Sequence, residues 1–324
     1  MPPITRRTLL TALGGTALTG CTARSTAPPP AEPPAWAAPS PTPPPSATVT
    51  AATGPVTVPG APVRVVTLDT AELDSALTLG ITPVGAARAA ADRAFPDYWP
   101  VSRLAPVAYV GPVGAPDLAA LRALRPDLIL SNQTRDGARY DELRAIAPTV
   151  LTPATGAPWK ANVQTHAQAL SRQDAAAAFA ASYQRHVNQV VAALAAARAG
   201  GRKVGLVRFV EGGGIRLYGR QNFPGSVLAD VGLGRPDAQN TDQSDTELPP
   251  DQLARADADL LLYACYGDPA RSGLTTTLAS PAWRSLEAVK AHRAFPVDDQ
   301  LWFQGIGYTG ANYVLQDLQR LLGA

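Results

Sequence analysis

Short apolar runs alternate with segments of helical spacing along the chain from Val63 onward. Residues 63–68 are mostly apolar and predict a strand, and the helix that follows stops at Gly80. Strands and helices that alternate in this way predict a parallel α/β sheet. The predicted segments are strands 63–68, 81–85, 128–130 and 149–151 and helices 71–79, 117–124 and 140–146.

A long alanine-rich segment, 173–199, has an apolar stripe at spacings of three or four and contains neither glycine nor proline. It predicts one helix about 40 Å long at 1.5 Å per residue, and Gly200 and Gly201 end it. The residues of the stripe are Phe179, Tyr183, Val187, Val191 and Leu194.

A second α/β pattern follows, from residue 203 to the C-terminus. The sequence therefore predicts two Rossmann-like lobes with largely parallel sheets, residues 63–172 and 201–324, joined by a long helix at 173–200. A ligand cleft is expected between the lobes, because clefts between domains are favoured binding sites. The predicted segments are strands 203–210, 215–218 and 259–263 and helices 226–232, 251–256 and 307–322.

The N-terminus has the features of an export signal. Arg6 and Arg7 precede an apolar run that ends near Leu18 and is too short to remain in a bilayer. Residues 18–21, LTGC, resemble the bacterial lipobox, which predicts a signal peptide over 1–20 and a lipid on Cys21. The paired arginines also resemble a twin-arginine signal.

Residues 21–62 are predicted to form a linker after the lipidated cysteine. Ten of the 18 residues from Pro28 to Pro45 are proline. Such a segment favours extended polyproline II structure, roughly 55 Å long at 3.1 Å per residue. We therefore expect a stalk between the membrane and the lobes.

Composition and charge argue against several other classes of protein. The net charge is +2 and 17% of the residues are charged, so no polybasic field invites nucleic acid. Cys265 is the only cysteine besides Cys21, which excludes an internal disulfide in the lipidated form, and we expect it in the core. His166, His186 and His292 lack metal-site spacing and are expected on the surface.

Enzyme motifs are absent from the sequence. The chain lacks GxSxG, SxxK and HExxH. The acidic pair Asp298–Asp299 is expected to be solvated in a turn, and the three glycines at 212–214 are expected to form a hairpin turn. An exported lipoprotein enzyme remains an alternative from another class.

Several short strings resemble a known family in their order and spacing. They resemble the ABC-transporter substrate-binding proteins of the iron-siderophore, haem and vitamin B12 class, over essentially the whole globular part. The strings are RVV at 64–66, LGITPVG at 79–85, LRPDLIL at 124–130, IAPTV at 146–150, VLADVGL at 227–233, DAD at 257–259 and WRSLEAVK at 283–290.

The resemblance implies a binding protein without enzymatic activity or cofactor. It would capture a ferric siderophore and deliver it to an ABC permease and its ATPase. The abundance of alanine, proline and arginine, typical of a GC-rich genome, favours a siderophore of hydroxamate type. It would act as a monomer held on the outer face of the cytoplasmic membrane by the lipid on Cys21. Haem or cobalamin is the alternative cargo, and Tyr218 or Tyr266 could serve as the axial ligand of a haem.

The resemblance also implies limited closure about the joining helix and one acidic docking residue on each lobe. The family's first docking glutamate falls at Ala119, so that contact is either missing or supplied by Asp117, and the second falls at Asp251. The alternative for both aspartates is an ordinary acid at the start of a helix. The family's cleft is lined by residues after strand ends. This nominates Arg208, Trp302, Arg88, Arg135, Tyr218 and Trp159 for ligand binding.

Arginine and aromatic side chains suit a ferric siderophore, because they bind the chelating oxygens and the flat apolar parts. Arg208 interrupts the apolar run 204–210, where an unpaired charge is costly, so a bound ligand would be its partner. An exposed edge strand is the alternative for Arg208 and core packing the alternative for Trp302. A solvated loop is the alternative for the other four.

Overall fold

The structure is a computed structural model that describes residues 45–323. The predicted signal peptide, Cys21 and the N-terminal part of the predicted linker lie outside the described residues. The strands are β1 Ala47–Ala51, β2 Gly54–Val58, β3 Val65–Thr67, β4 Gly85–Arg88, β5 Ala108–Pro112, β6 Leu128–Asn132, β7 Thr149–Thr152, β8 Val204–Val210, β9 Gly214–Tyr218, β10 Asp245–Leu248, β11 Leu260–Tyr266 and β12 Ala294–Pro296.

The helices follow the strands in the order expected for α/β units. Short 3₁₀ turns lie at Gly137–Arg139, Asp237–Gln239 and Pro250–Ala256. Among the helices of residues 45–323, none is both long enough and apolar enough to cross a membrane. The α-helices are α1 Thr70–Thr78, α2 Val101–Leu104, α3 Leu118–Leu124, α4 Gln133–Asp136, α5 Tyr140–Arg144, α6 Trp159–Leu170, α7 Gln173–Ala196, α8 Phe223–Asp230, α9 Leu274–Leu278, α10 Pro281–Arg284, α11 Glu287–Lys290, α12 Asp299–Trp302 and α13 Tyr308–Leu322.

The first lobe contains a parallel five-stranded sheet in the order β5-β4-β3-β6-β7. The chain winds outward in one direction from β3 to β5 and in the other from β6 to β7. The strand order therefore reverses between β3 and β6. In sheets of this kind, ligands bind beyond the carboxyl ends of the strands at that switch point.

The second lobe repeats this order as β10-β9-β8-β11-β12, with its switch point between β8 and β11. Here β8 pairs with β11 in parallel but with β9 in antiparallel orientation. The reason is the predicted glycine hairpin turn, in which Gly212 and Gly214 have positive φ. A tight turn can join only antiparallel strands, so this sheet is mixed.

A β-hairpin, β1–β2, lies inside the range predicted as linker. Its valines Val49, Val56 and Val58 are buried in the core, and Ala52 N donates to Leu151 O of β7 at 2.8 Å. The prediction that the linker extends to residue 62 is therefore wrong. The alternation of apolar and polar residues in ATVTA and GPVTV was the missed signal.

The second strand begins later than predicted. Residues 81–84 form a connection, and β4 starts at Gly85. Gly80 has a φ of +84°, and Ile81 N still donates to Ala76 O at 2.8 Å. This hydrogen bond holds Ile81 against the end of α1, so residues 81–83 do not pair with a strand. Pairing with β3 starts at Val84, whose N–H donates to Val65 O.

Helix α7 matches the predicted joining helix, but its buried face differs from the prediction. Tyr183, Val187, Val190 and Leu194 are buried, whereas Phe179 and Val191 are exposed. The four buried residues are spaced four, three and four positions apart, so they lie on one side of the helix. Val191 lies about 100° away from Val190 around the helix axis and therefore points to solvent. The buried face joins one apolar core that also includes residues of α1, α6, α8 and α13.

Candidate functional site

The candidate site lies between the lobes, beyond the carboxyl ends of the strands at the switch points of both sheets. A cavity of about 530 Å³ is lined by Asp69 and Thr70 after β3, by Arg135 after β6, and by Arg208 and Tyr266 near the ends of β8 and β11. A second cavity of about 960 Å³ shares Ala90 and Tyr266 with the first. Two adjoining cavities of this size can accept a ligand of several hundred cubic ångströms.

Arg208 lies on the central strand β8, so the alternative of an exposed edge strand is wrong. Its Nε and Nη2 each donate to a different oxygen of Asp299 at 2.6 Å, and Nη1 donates to the Tyr218 hydroxyl at 3.2 Å. The rings of Tyr266 and Phe303 lie 4.9 and 5.0 Å from the guanidinium carbon. The partner that the sequence required for this charge is thus a carboxylate of the protein itself.

The environment of Arg208 favours its charged form. Burial acts to lower the pKa of Arg208, but the hydrogen bonds and the charge of Asp299 raise it above the ordinary value. Gln304 Nε2 also donates to Asp299 Oδ2 at 2.8 Å. Arg208, Asp299 and Gln304 therefore form a fixed polar cluster between the two cavities.

Two further arginines line the smaller cavity, one from each lobe. Arg135 Nε donates to Asp69 Oδ2 at 3.0 Å, and the charge of Asp69 raises the pKa of Arg135. Arg216 Nη1 donates to Asp245 Oδ2 at 3.0 Å. Both guanidinium groups are partly exposed and keep N–H groups for a ligand.

Helix α1 carries a buried polar network behind Asp69. Asn132 Nδ2 donates to Asp69 at 3.1 Å and lies 3.5 Å from Glu72 Oε1. Burial, with the charge of Asp69, raises the pKa of Glu72 to about 8. Burial lowers the pKa of His166 to about 3, and its Nδ1 is 2.9 Å from Ser75 Oγ. In both cases burial favours the neutral side chain, so neither Glu72 nor His166 is a source of fixed charge for the cleft.

Two of the residues that line the larger cavity, Asp299 and Cys265, differ from the prediction made from the sequence. Asp299 is not a solvated turn residue, because its side chain is 10% exposed and paired with Arg208. Asp298 is the N-cap of α12, and its side chain accepts from Leu301 N. Cys265 is not a core residue: it is half-buried, lines this cavity and lies 3.1 Å from Ser272 Oγ.

Both nominated tryptophans lie in the core and not in the walls of either cavity. Trp159 is 1% exposed and donates from Nε1 to Ser226 Oγ at 2.8 Å. Trp302 is fully buried and donates to Asp317 Oδ2 at 2.9 Å. Their nomination as ligand contacts is therefore wrong: each has its flat surface covered by apolar neighbours and its N–H satisfied.

Arg88 is also absent from the walls of both cavities. Its guanidinium carbon lies 4.1 Å from the centre of the Tyr109 ring, and Nη1 donates to Arg93 O at 2.8 Å. It therefore fixes the loop 89–93, which does line the cavities.

The docking candidates are both exposed. Asp117 is the N-cap of α3 and accepts from the backbone N–H groups of Ala119 and Ala120. Asp251 lies in the 3₁₀ turn Pro250–Ala256. Exposure leaves both carboxylates accessible to a partner.

The histidines differ from the expectation of three surface residues. His166 is fully buried, His186 is half-buried with Nδ1 2.8 Å from Asn312 Oδ1, and only His292 is exposed. Among residues 45–323, no three His, Cys, Asp or Glu side chains come close enough together to hold a metal ion.

Arg216, Asp299 and Gln304 are among the site residues that were not nominated from the sequence. Arg216 could have been found, because it lies two positions before Tyr218 on β9 and so shares its face of the strand. Nothing local identifies Asp299 as the partner of Arg208, since the two are 91 positions apart.

Comparison with known proteins places this geometry in a family. Residues 65–301 match the model of a periplasmic binding protein family. The chain belongs to this periplasmic binding protein family. The predictions of a binding protein instead of an enzyme, and of two α/β lobes around a cleft, are confirmed.

Several known proteins align along most of the chain. The "Probable siderophore-binding lipoprotein YfiY" of Bacillus subtilis is 32% identical over 279 residues, 81% of this chain and 83% of the relative. The "Achromobactin-binding periplasmic protein" of Dickeya dadantii is 29% identical over 274 residues, covering 81% and 87%. The crystal structure of Staphylococcus aureus SirA complexed with staphyloferrin B has a TM-score of 0.77 at 26% identity, covering 86% and 98%.

Proposed function

We propose that this protein captures a ferric siderophore outside the cytoplasm and delivers it to the permease of an ABC importer. The observation that carries the proposal is the cleft itself, in which arginine and aromatic side chains meet at two facing switch points. The names of the B. subtilis and D. dadantii relatives and the ligand of SirA support a siderophore as cargo.

Within the cleft, Arg135 and Arg216 are proposed to donate to the chelating oxygens. Arg135 and Arg216 each donate from one nitrogen to an aspartate, whereas all three nitrogens of Arg208 donate within the protein. Arg135 and Arg216 therefore have more N–H groups available to a ligand. Tyr218 and Tyr266 are proposed to contact the organic part of the ligand. Both line the smaller cavity. The Tyr218 hydroxyl accepts from Arg208, and the Tyr266 ring lies 4.9 Å from the Arg208 guanidinium carbon.

The cargo can be tested by calorimetric titration of the purified protein with ferric hydroxamates, ferric catecholates, haemin and cobalamin. We expect one ferric chelate to bind at a 1:1 ratio, and its iron-free form to bind more weakly. Arg135→Ala should weaken binding about tenfold or more, as expected for one charge-assisted hydrogen bond. Arg144→Ala is the control, since Arg144 lies on the same lobe, pairs with Asp141 and is 61% exposed. Tight binding of haemin or cobalamin alone would refute the siderophore proposal.

Attachment and location form a second part of the proposal. The lipobox-like residues 18–21 support a lipid on Cys21 after removal of residues 1–20, and one relative is named a lipoprotein. The twin-arginine route of export is supported by Arg6 and Arg7. Cys21→Ser should move the protein from the membrane fraction to the soluble fraction, and retention in the membrane would contradict the anchor.

Docking is proposed to use Asp117 and Asp251, and the protein is proposed to act as a monomer. Because Asp117 caps α3, Asp117→Ser is the appropriate variant: serine keeps the cap and removes the charge. We expect Asp117→Ser with Asp251→Ser to reduce siderophore uptake by cells while leaving siderophore binding unchanged. Equal uptake by wild type and variant would argue against these docking residues.

A further inference from the structure

Each arginine that lines the smaller cavity is paired with an aspartate of the same chain. Each pair has no net formal charge, so the three arginines do not give the cleft a net positive charge. The pairs are Arg135 with Asp69 at 3.0 Å, Arg208 with Asp299 at 2.6 Å and Arg216 with Asp245 at 3.0 Å.

The pair of Arg208 and Asp299 differs from the other two in burial and in hydrogen bonding. Its side chains are 15% and 10% exposed, whereas the side chains of Arg135 and Arg216 are 43% and 40% exposed. Asp299 occupies two nitrogens of Arg208, and the Tyr218 hydroxyl occupies the third. A ligand oxygen can gain this guanidinium fully only if it displaces Asp299.

Asp299 also faces the larger cavity, whose walls carry more carboxylates than cations. An anionic ligand group placed there would lose its hydration and meet like charge. The charged residues of that wall are Asp92, Arg93, Glu211, Asp268, Arg271, Asp298 and Asp299.

We propose that Asp299 is a specificity-determining residue which, by holding Arg208, makes the cleft select ferric chelates without net negative charge. This inference rests on the proposed function and narrows its cargo. Three hydroxamates neutralise Fe³⁺ completely, whereas three catecholates leave three negative charges. A neutral or cationic tris-hydroxamate chelate can therefore enter the cleft without breaking the pair.

The test uses one chelate scaffold in three charge states. The probes are a linear ferric tris-hydroxamate that ends in an ammonium group, its N-acetylated neutral form and its N-succinylated anionic form. They share the iron centre and differ only at the tail. Ferric tris-catecholate and ferric citrate extend the series to anionic chelates, and binding is measured by calorimetry at low and high salt.

For the wild type, we expect the cationic and neutral forms to bind at least about tenfold more tightly than the anionic form. This difference in affinity should shrink at high salt. Asp299→Asn should reduce the preference to about threefold or less. The matched control is Asp237→Asn: Asp237 is in the same lobe, pairs with Lys203 and is 95% exposed. It should leave the preference unchanged.

The wild-type series can overturn the inference even if Asp299→Asn does not fold, because the inference requires the wild type to select by charge. Tighter binding of the succinylated form, ferric citrate or the tris-catecholate than of the neutral form would overturn charge selection while leaving siderophore capture intact. If no ferric chelate of any charge binds, the proposed function fails and this inference fails with it.

Discussion

Arg208 Nε and Nη2 each lie 2.6 Å from an oxygen of Asp299, which joins the central strand β8 to the start of α12. The relationship changes the role expected for Arg208. The sequence assigned Arg208 to the ligand, but Arg208 already has a partner inside the protein. We therefore expect Arg208 to affect the stability of the second lobe and the charge of the cleft more directly than ligand binding.

Removing one member of this pair should destabilise the second lobe. Arg208→Ala leaves a buried carboxylate unpaired, and we expect a loss of about 3–5 kcal/mol in the free energy of unfolding, measured in urea. The apolar double variant Arg208→Met with Asp299→Leu should recover most of this loss. As a control, Lys203→Ala breaks an exposed pair and should cost less than about 1 kcal/mol. A small effect of Arg208→Ala would show that water reaches the pair.

Glu72 should make stability fall as the solution becomes alkaline. Its folded-state pKa of about 8 lies above the ordinary value of 4.5. Between these two pH values the folded protein keeps a proton on Glu72 that the unfolded chain has lost. The stabilising contribution is complete below pH 4.5 and is lost as the pH rises through 8.

Between about pH 6.5 and 8, we expect the wild type to lose up to about 1–2 kcal/mol of unfolding free energy. Glu72→Gln resembles the protonated form and should remove this slope. Glu287→Gln, at a glutamate that is 75% exposed, should keep it. An equal slope in wild type and Glu72→Gln would mean that Glu72 does not titrate in this range.

Gly310 is required where α13 begins. A methyl group at this position would overlap the carbonyl oxygen of Gly305, which is backbone and has little room to move. Gly310→Ala should therefore reduce the unfolding free energy by about 1–3 kcal/mol. Gly200→Ala is the control, because no atom lies within 4 Å of its added carbon, and it should change stability by less than about 0.5 kcal/mol.

Cys265 should report occupancy of the larger cavity. Its thiol is half-buried in the cavity wall, so a maleimide should alkylate it slowly in the empty protein. With ferric ligand at about ten times its Kd, we expect alkylation to slow about tenfold, because the free fraction falls by mass action. Peptide mass mapping identifies the labelled cysteine. Unchanged alkylation would place the ligand in the smaller cavity alone.

Much of the fold was predictable because it depends on local pattern. Helix 173–199 and strand 203–210 were recognised from spacing and from the glycines between them, and the structure has them at Gln173–Ala196 and Val204–Val210. The β1–β2 hairpin was missed although its alternation is local, because the proline-rich stretch before it suggested a linker.

The sequence by itself determined the alternation of strands and helices, the division into two lobes and the family. These depend on neighbours within a few positions and on the order of short strings. Only the tertiary structure decided which residues line the cleft. Trp159 and Trp302 lie in the core, where the indole N–H of each donates to a side-chain oxygen. Asp299 pairs with Arg208 because α12 packs against the end of the second sheet. The two residues are 91 positions apart, so no local sequence pattern indicates the pair.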